Sequence, residues 1–398
     1  EIPIRCMITD EMARATPLGQ KLMEIEEQLS VPNHCQIIVF MLTTRAQGDS
    51  FFQPYYDVLP SDFDNFPIFW GETELSWLEG SSLVRQIAER KRNMRSDYDH
   101  ICKHLKEFRQ FSFEEFLWCR TAVGSRNFSI TIRGRKRTAM VPQADMLNHF
   151  RPRECTWTYD NVLQAFTMTS LKVIKDGAQV FDSYGKKCNS KFLLHYGFTI
   201  ESNREGDGIC QNELELKFSI PKDDSLFKMR RSFINASQTF NVTMNATEEN
   251  TAKCLNYLRT LCATGPELSK MGSRFKRRGP ISTSNELAVF KKLAEAATAQ
   301  LQKYPTSIED DDELLREGRL DPFSNRRHAV IIIRGEKEMC HFFIQLYEAV
   351  KYLLDGKESQ RAYTPAQRGR IVSDEFNEST DVDRFIRVIH QDLVSKGL

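Results

Sequence analysis

Asn148-His149, Asp182-Ser183-Tyr184-Gly185 and His195-Tyr196-Gly197-Phe198 gather the side chains best suited to gripping a polar ligand into one stretch of the chain. Asn and His supply hydrogen-bond donors and acceptors, and tyrosine supplies an apolar wall with a polar tip. The glycine after each tyrosine lets backbone approach a ligand closely. Each member of the set falls where a strand pattern ends. The set includes no nucleophilic serine or cysteine and no metal cluster. The chemistry it suits is group transfer, with a polar cofactor held and a neutral nucleophile aligned beside it.

The bulk composition narrows the class. The 398 residues suffice for two or three domains, and 40% hydrophobic with 27% charged residues is ordinary for a globular protein. With 55 Lys+Arg against 54 Asp+Glu, the net charge of +1 gives no global field toward nucleic acid or anionic lipid. Two local basic runs stand out, Arg133 to Arg137 and Arg274 to Arg278; the first lies between strand-like runs and reads as a solvated hairpin tip. No apolar run reaches the roughly 18 residues that a membrane span needs. No signal peptide is visible. The ten cysteines are scattered, with no C-x-x-C pair, so reduced and mostly buried thiols of an intracellular protein are expected. The chain begins at Glu1 and not at methionine, so an upstream segment is expected.

These residues need a framework to hold them. Residues 1–8 read as a short strand and residues 10–124 as mainly helical, with an apolar helix over 36–45 and another over 72–83. Ser112 with Glu115 forms a capping-box pattern that starts a helix carrying Phe113, Phe116, Leu117 and Val123, with Gly124 at its end. The period then changes to two. Residues 128–132 and 138–141 make a hairpin, residues 163–173 alternate, and residues 179–181 return as a strand before a helix over 189–195. Beyond about residue 214 the chain reads as helical, with long runs over 285–304 and 329–354. A polar, partly mobile tail follows Gly356, and a last short helix spans 382–393. The acidic run Glu309 to Glu313 reads as a solvated helix start, or as an attractor for a basic partner.

At this point the ordered motifs resemble the SET-domain protein methyltransferases of the Rubisco large-subunit methyltransferase type. The most specific match is Val141-Pro142-Gln143-Ala144-Asp145-Met146-Leu147-Asn148-His149; Tyr184-Gly185 through Tyr196-Gly197-Phe198 is the second. Glu1-Ile2-Pro3, the stretch from Tyr55 through Leu59-Pro60 to Phe69-Trp70, the Tyr304 to Asp311 stretch and Arg334-Gly335-Glu336-Lys337-Glu338 extend the likeness over nearly the whole chain. The resemblance implies an α+β fold: a β-rich SET core over 1–10 and 120–214, a helical insert over 11–119, and an all-α substrate-binding domain over 215–398. It implies S-adenosylmethionine as methyl donor, S-adenosylhomocysteine as product, and no metal. The acceptor would be a side-chain nitrogen of a protein docked by the C-terminal domain, with neither nucleic acid nor membrane as partner and a monomer as the working form. The family's Gly-rich cofactor loop, which precedes the first strand, is not in this chain and is expected upstream; compartment, cytoplasm or nucleus or an organelle, follows from whatever that segment carries. Cys188, Ser190 and Lys191 depart from the family pattern, which puts cofactor contacts of that helix in doubt.

Carried over residue by residue, Tyr184 would be the catalytic tyrosine. Arg126 would pair with the cofactor carboxylate, Asn148 and His149 would bind the cofactor through backbone and amide groups, and Tyr196 with Phe198 would close the adenosine pocket. Ser125, Phe128, Asp145 and Tyr159 would line the acceptor channel. Asp145 would hold an incoming ammonium at the channel entrance, or cap the turn that follows. His149 and Tyr196 also admit a plain reading as core packing. In the branch that methylates a histidine of actin, asparagine matches Phe128 and tryptophan matches Ala144; both positions here are of the lysine-methylating kind. A phenyl ring leaves the second imidazole nitrogen unpaired, at roughly 1–3 kcal/mol for a buried polar atom. Lysine is the expectation, histidine methylation the alternative, and a vestigial, non-catalytic binding module the third reading.

Overall fold

The reciprocal cap expected at Ser112 forms: Glu115 N–H donates to Ser112 Oγ at 3.1 Å, and Ser112 N–H donates to the Glu115 carboxylate at 2.7 Å. It starts helix Phe113–Arg126, which runs past Gly124 to deliver Arg126 in its last turn. A lone helical glycine costs only about 1 kcal/mol, less than the buried face of Phe116, Leu117, Ala122 and Val123 contributes. The computed structural model describes residues 1–271, 279–316, 318–355 and 379–398. Contacts divide it into two units: residues 1–73, 83–186 and 191–198 in the first, residues 74–82, 187–190 and 199–398 in the second. The expected insert and core therefore fall largely in one unit.

Three small sheets carry the first unit. In one, β2 (Ile8–Thr9) pairs with β4 (Arg135–Met140), which pairs with β3 (Asn127–Ile132), all antiparallel. The β3–β4 hairpin closes through Arg133 and Gly134, both with positive φ, as a two-residue turn matched to strand twist requires. Arg135, Lys136 and Arg137 lie within β4, so the basic run is strand as well as tip. In the second sheet β1 (Ile2–Pro3) pairs with β7 (Ala165–Ser170), and β7 with β6 (Cys155–Asp160). The third is the short parallel pair of β5 (Asn148–His149) and β8 (Phe181–Asp182). Helices Pro32–Gln47 and Leu83–His104 pack beside Phe113–Arg126 over a core that includes Ile37, Ile38, Ile101, Phe108 and Phe116. The expected helix over 72–83 is instead a short turn of helix, Glu72–Ser76, followed by the 22-residue Leu83–His104.

The second unit is mainly helical, in Glu249–Cys262, Thr283–Leu301, Ile308–Leu315, Asn325–Asp355 and Ser379–Ser395 among others. It is not all-α. Strands β9 (Leu214–Ser219) and β10 (Ser237–Val242) form a six-residue antiparallel ladder, and the alternation of Leu214, Leu216 and Phe218 turns one face into the core with Phe290, Phe342 and Phe385. The acidic run opens helix Ile308–Leu315 under a Ser307–Asp310 capping box, with Glu309 and Asp310 exposed. Asp311 is the exception, buried and 2.6 Å from the Lys337 ammonium. The basic run at 274–278 and most of the expected tail, residues 356–378, lie outside the described residues. All ten cysteines are free, and seven are buried. No helix among the described residues is long and apolar enough to cross a membrane.

Candidate active site

Asn148 lies opposite Phe181 and His149 opposite Asp182, so two segments distant in sequence run side by side. Phe150 N–H extends the pairing to the Asp182 carbonyl at 2.9 Å. Two residues beyond β8, Tyr184 is pinned at both ends. Its N–H donates to His149 Nδ1 at 2.9 Å, which leaves the neutral imidazole proton on Nε2. Its hydroxyl donates to the Leu147 carbonyl at 2.7 Å. Around it stand the Tyr196 ring, stacked at 4.9 Å, the His149 ring at 5.3 Å and the Phe198 ring at 6.2 Å. Burial pushes the Tyr184 phenol up to about 12, against the pull of Arg126, and also raises Tyr196. Both phenols are therefore neutral near pH 7 and act as hydrogen-bonding groups, not as bases.

Tyr196 ends helix Asn189–Tyr196, where the sequence places a helix over 189–195. Gly197 then turns the chain at a φ of 75°, and its carbonyl accepts from Asn65 Nδ2 at 3.0 Å. A Cβ there would fall 2.7 Å from the Phe66 ring, so only glycine allows this approach.

Arg126 meets Asp145 in the same unit. Arg126 Nη1 donates to the Asp145 carbonyl at 3.0 Å and sits 3.6 Å from Asp145 Oδ2. Tyr55 hydroxyl donates to that same oxygen at 2.7 Å. Burial raises the Asp145 carboxyl, while Tyr55 and Arg126 hold it down. The Asp145 side chain is 0% exposed, so it lies beneath the surface and not at a channel mouth. The expected ammonium-greeting role is corrected on that ground: a carboxylate already committed to a phenol and a guanidinium cannot meet an incoming cation at an entrance. Nor does it cap a helix; it sits inside the short 3-10 turn Ala144–Met146.

Residues 221–339 match the family described as Rubisco LSMT substrate-binding. A crystal structure of the SET domain of LSMT bound to lysine and AdoHcy superposes with a TM-score of 0.72 at 24% identity, covering 95% of this chain and 87% of that one. Rubisco LSMT bound to AdoMet superposes with a TM-score of 0.70 at 24% identity, over the same shares of the two chains. The chain has the Rubisco LSMT SET fold. Relatives in sequence carry a different name: the actin-histidine N-methyltransferase of Homo sapiens is 26% identical over 90% of this chain and 62% of its own length. That of Xenopus tropicalis is 24% identical over 98% and 69%. The chain thus spans about three-fifths of the length of most of these relatives, 62% for the human protein.

Within this LSMT-type fold the other expected channel residues form a separate group. Phe128 meets Trp157 edge-on at 5.3 Å and Phe166 at 5.0 Å, and Tyr159 is buried in the same core. Ser125 turns back along its helix, donating to the Thr121 carbonyl at 2.8 Å. Between the two groups stands Trp157, which stacks on Phe166 and lies near Asp182, the strand partner of His149.

Three contributors were missed in the sequence. Phe192 packs on His149 and on Phe198, each at 5.0 Å, and its i,i+4 spacing to Tyr196 was a readable sign. Trp157 lay in a β-rich run, Cys155–Asp160, left unassigned. Tyr55 falls within the expected helical insert, and nothing in its neighbours points to Asp145. No group of three or more His, Cys, Asp or Glu suited to a metal occurs among the described residues.

Proposed function

We propose that this chain transfers a methyl group from S-adenosylmethionine to a side-chain nitrogen of a protein, and that the nitrogen is a lysine ε-amine. The observation that carries the reading is the neutral Tyr184 phenol, tied to His149 and Leu147 and walled by Tyr196, in the fold of structures bound to AdoMet and AdoHcy. The residues fit that cofactor. Arg126 retains a buried Nε with no partner among the described residues, a donor suited to a carboxylate. The rings of Tyr196 and Phe198 suit an adenosine face, and Asn148 and His149 offer amide and backbone groups. When bound, S-adenosylmethionine supplies a methyl on a positively charged sulfur, already activated for attack.

The protein's own task is then alignment and neutralisation. Free lysine has a pKa of about 10.4 and must lose a proton before its nitrogen can attack. Apolar walls around the incoming amine, which this reading assigns to Phe128, Trp157 and Tyr159, would disfavour the ammonium, so the proton leaves to water on entry. Tyr184 hydroxyl, exchanging its bond to Leu147, orients the amine, and holding the reacting groups in line supplies most of the acceleration. The domain over 221–339 supports a protein as the substrate, docked through that part of the chain.

Histidine is the second reading, favoured by the names of the relatives in sequence. Against it stands Phe128, whose ring offers no hydrogen bond to the second imidazole nitrogen. Incubation of a proteome with labelled S-adenosylmethionine, followed by mass-spectrometric mapping, separates them. Label on lysine is expected; label on histidine would move the assignment to the second reading. No transfer together with no S-adenosylhomocysteine binding would leave a non-catalytic module.

A further inference from the structure

We propose that Tyr55 is a positioning residue for the cofactor carboxylate, acting through Asp145 on Arg126; the inference rests on the methyltransferase reading above. Tyr55 comes from the short helix Gln53–Tyr56, far from the site motifs in sequence. Its hydroxyl and the Arg126 guanidinium converge on one oxygen, Asp145 Oδ2, at 2.7 and 3.6 Å. Asp145 Oδ1 has no hydrogen-bond partner among the described residues, so Oδ2 carries the anchoring of a side chain with no exposed surface. The Asp145 carbonyl takes the second hold on Arg126, at 3.0 Å from Nη1.

The consequence is directional. Asp145 occupies Nη1 on one edge of the guanidinium and leaves Nε without a partner among the described residues. A guanidinium is a rigid planar fork, so fixing one edge aims the others. Burial pushes the Asp145 carboxyl up, and Tyr55 is the foremost group that opposes that push, with Arg126 next. Without the phenol, the buried carboxylate keeps only its 3.6 Å approach to the guanidinium to hold it in place. It then rotates or takes up a proton, and the guanidinium loses its aim while its charge remains.

The test uses the whole chain and two ligands. S-adenosylhomocysteine carries the carboxylate; 5′-methylthioadenosine lacks the amino-acid portion. In Tyr55→Phe, calorimetry should show S-adenosylhomocysteine binding about tenfold weaker, the loss of one hydrogen bond to a charged group, with 5′-methylthioadenosine unchanged. In an Arg126→Ala background, Tyr55→Phe should add nothing. Unchanged binding of both ligands, or equal weakening of both, overturns the inference, the latter because it marks a general structural role. A full tenfold effect persisting in Arg126→Ala overturns it too. If the unaltered protein binds neither ligand, the methyltransferase reading itself fails and takes the inference with it.

Discussion

Replacing Tyr184 by phenylalanine removes one oxygen and keeps the ring. The stack on Tyr196 at 4.9 Å and the packing on His149 at 5.3 Å survive. What is lost is the donor to the Leu147 carbonyl at 2.7 Å. For folding, one such hydrogen bond is worth about 1 kcal/mol, or roughly 2–4 °C in Tm. For transfer the loss is larger. A phenol with a pKa of about 12 is ionised in about one molecule in ten thousand at pH 8, so it acts through its neutral O–H and oxygen. A hydrogen bond to charge at a reacting nitrogen is worth about 1.5–3 kcal/mol, which is roughly ten- to a hundredfold in kcat/KM. Single-turnover transfer of labelled methyl, read beside calorimetric binding of S-adenosylhomocysteine, checks this. Transfer should fall by that factor while affinity stays within about twofold, since the ring remains. Transfer equal to the unaltered protein would refute the role, and parallel loss of both quantities would mean that the hydroxyl serves only structure.

Three further outcomes concern stability and the framework. Glu336 accepts from Ser81 and Tyr304, each at 2.7 Å, and burial pushes its carboxyl up to about 7 from the ordinary 4.5. A carboxyl raised in the folded state contributes stability fully present below about pH 4.5 and lost as pH rises through 7. Denaturant melts at about pH 5 and pH 8 should therefore show Glu336→Gln losing less stability than the unaltered protein over that window, by on the order of 3 kcal/mol; equal slopes would contradict the burial argument. Lys337→Met should cost about 3–5 kcal/mol by stranding the buried Asp311 carboxylate. A double Lys337→Met, Asp311→Leu protein should recover much of it, as read from urea midpoints. Gly197→Ala should lower Tm and weaken S-adenosylhomocysteine binding together, because a left-handed φ of 75° costs about 1–3 kcal/mol in a non-glycine residue and the new methyl meets the Phe66 ring. Thermal melts and calorimetry on one preparation would show it, and an unaffected protein would deny the close approach.

Local signals were legible because they are set by neighbours a few residues away. The Ser112–Glu115 cap, the hairpin at Arg133-Gly134 and the helix start at Ser307 follow from side chains three residues apart or from backbone at one turn. The β9–β10 ladder was equally local in pattern, since Leu214, Leu216 and Phe218 alternate. It was lost beneath the helical signal of everything after it. The division of helix near residue 76 follows from Gly80, whose φ of 86° turns the chain before Ser81-Ser82 and the start of the next helix at Leu83.

By itself the sequence singled out residues whose types suit chemistry: the Asn148-His149 pair and the tyrosines before Gly185 and Gly197 stand out by type and order. Only the tertiary structure decided how they meet. The parallel pairing of β5 with β8 closes a loop of more than thirty residues and so depends on no local pattern. The same holds for Tyr55 reaching Asp145 across 90 residues. Side-chain burial makes the difference physical: a carboxylate read as an exposed greeter of cations becomes, once desolvated between a phenol and a guanidinium, a fixed strut.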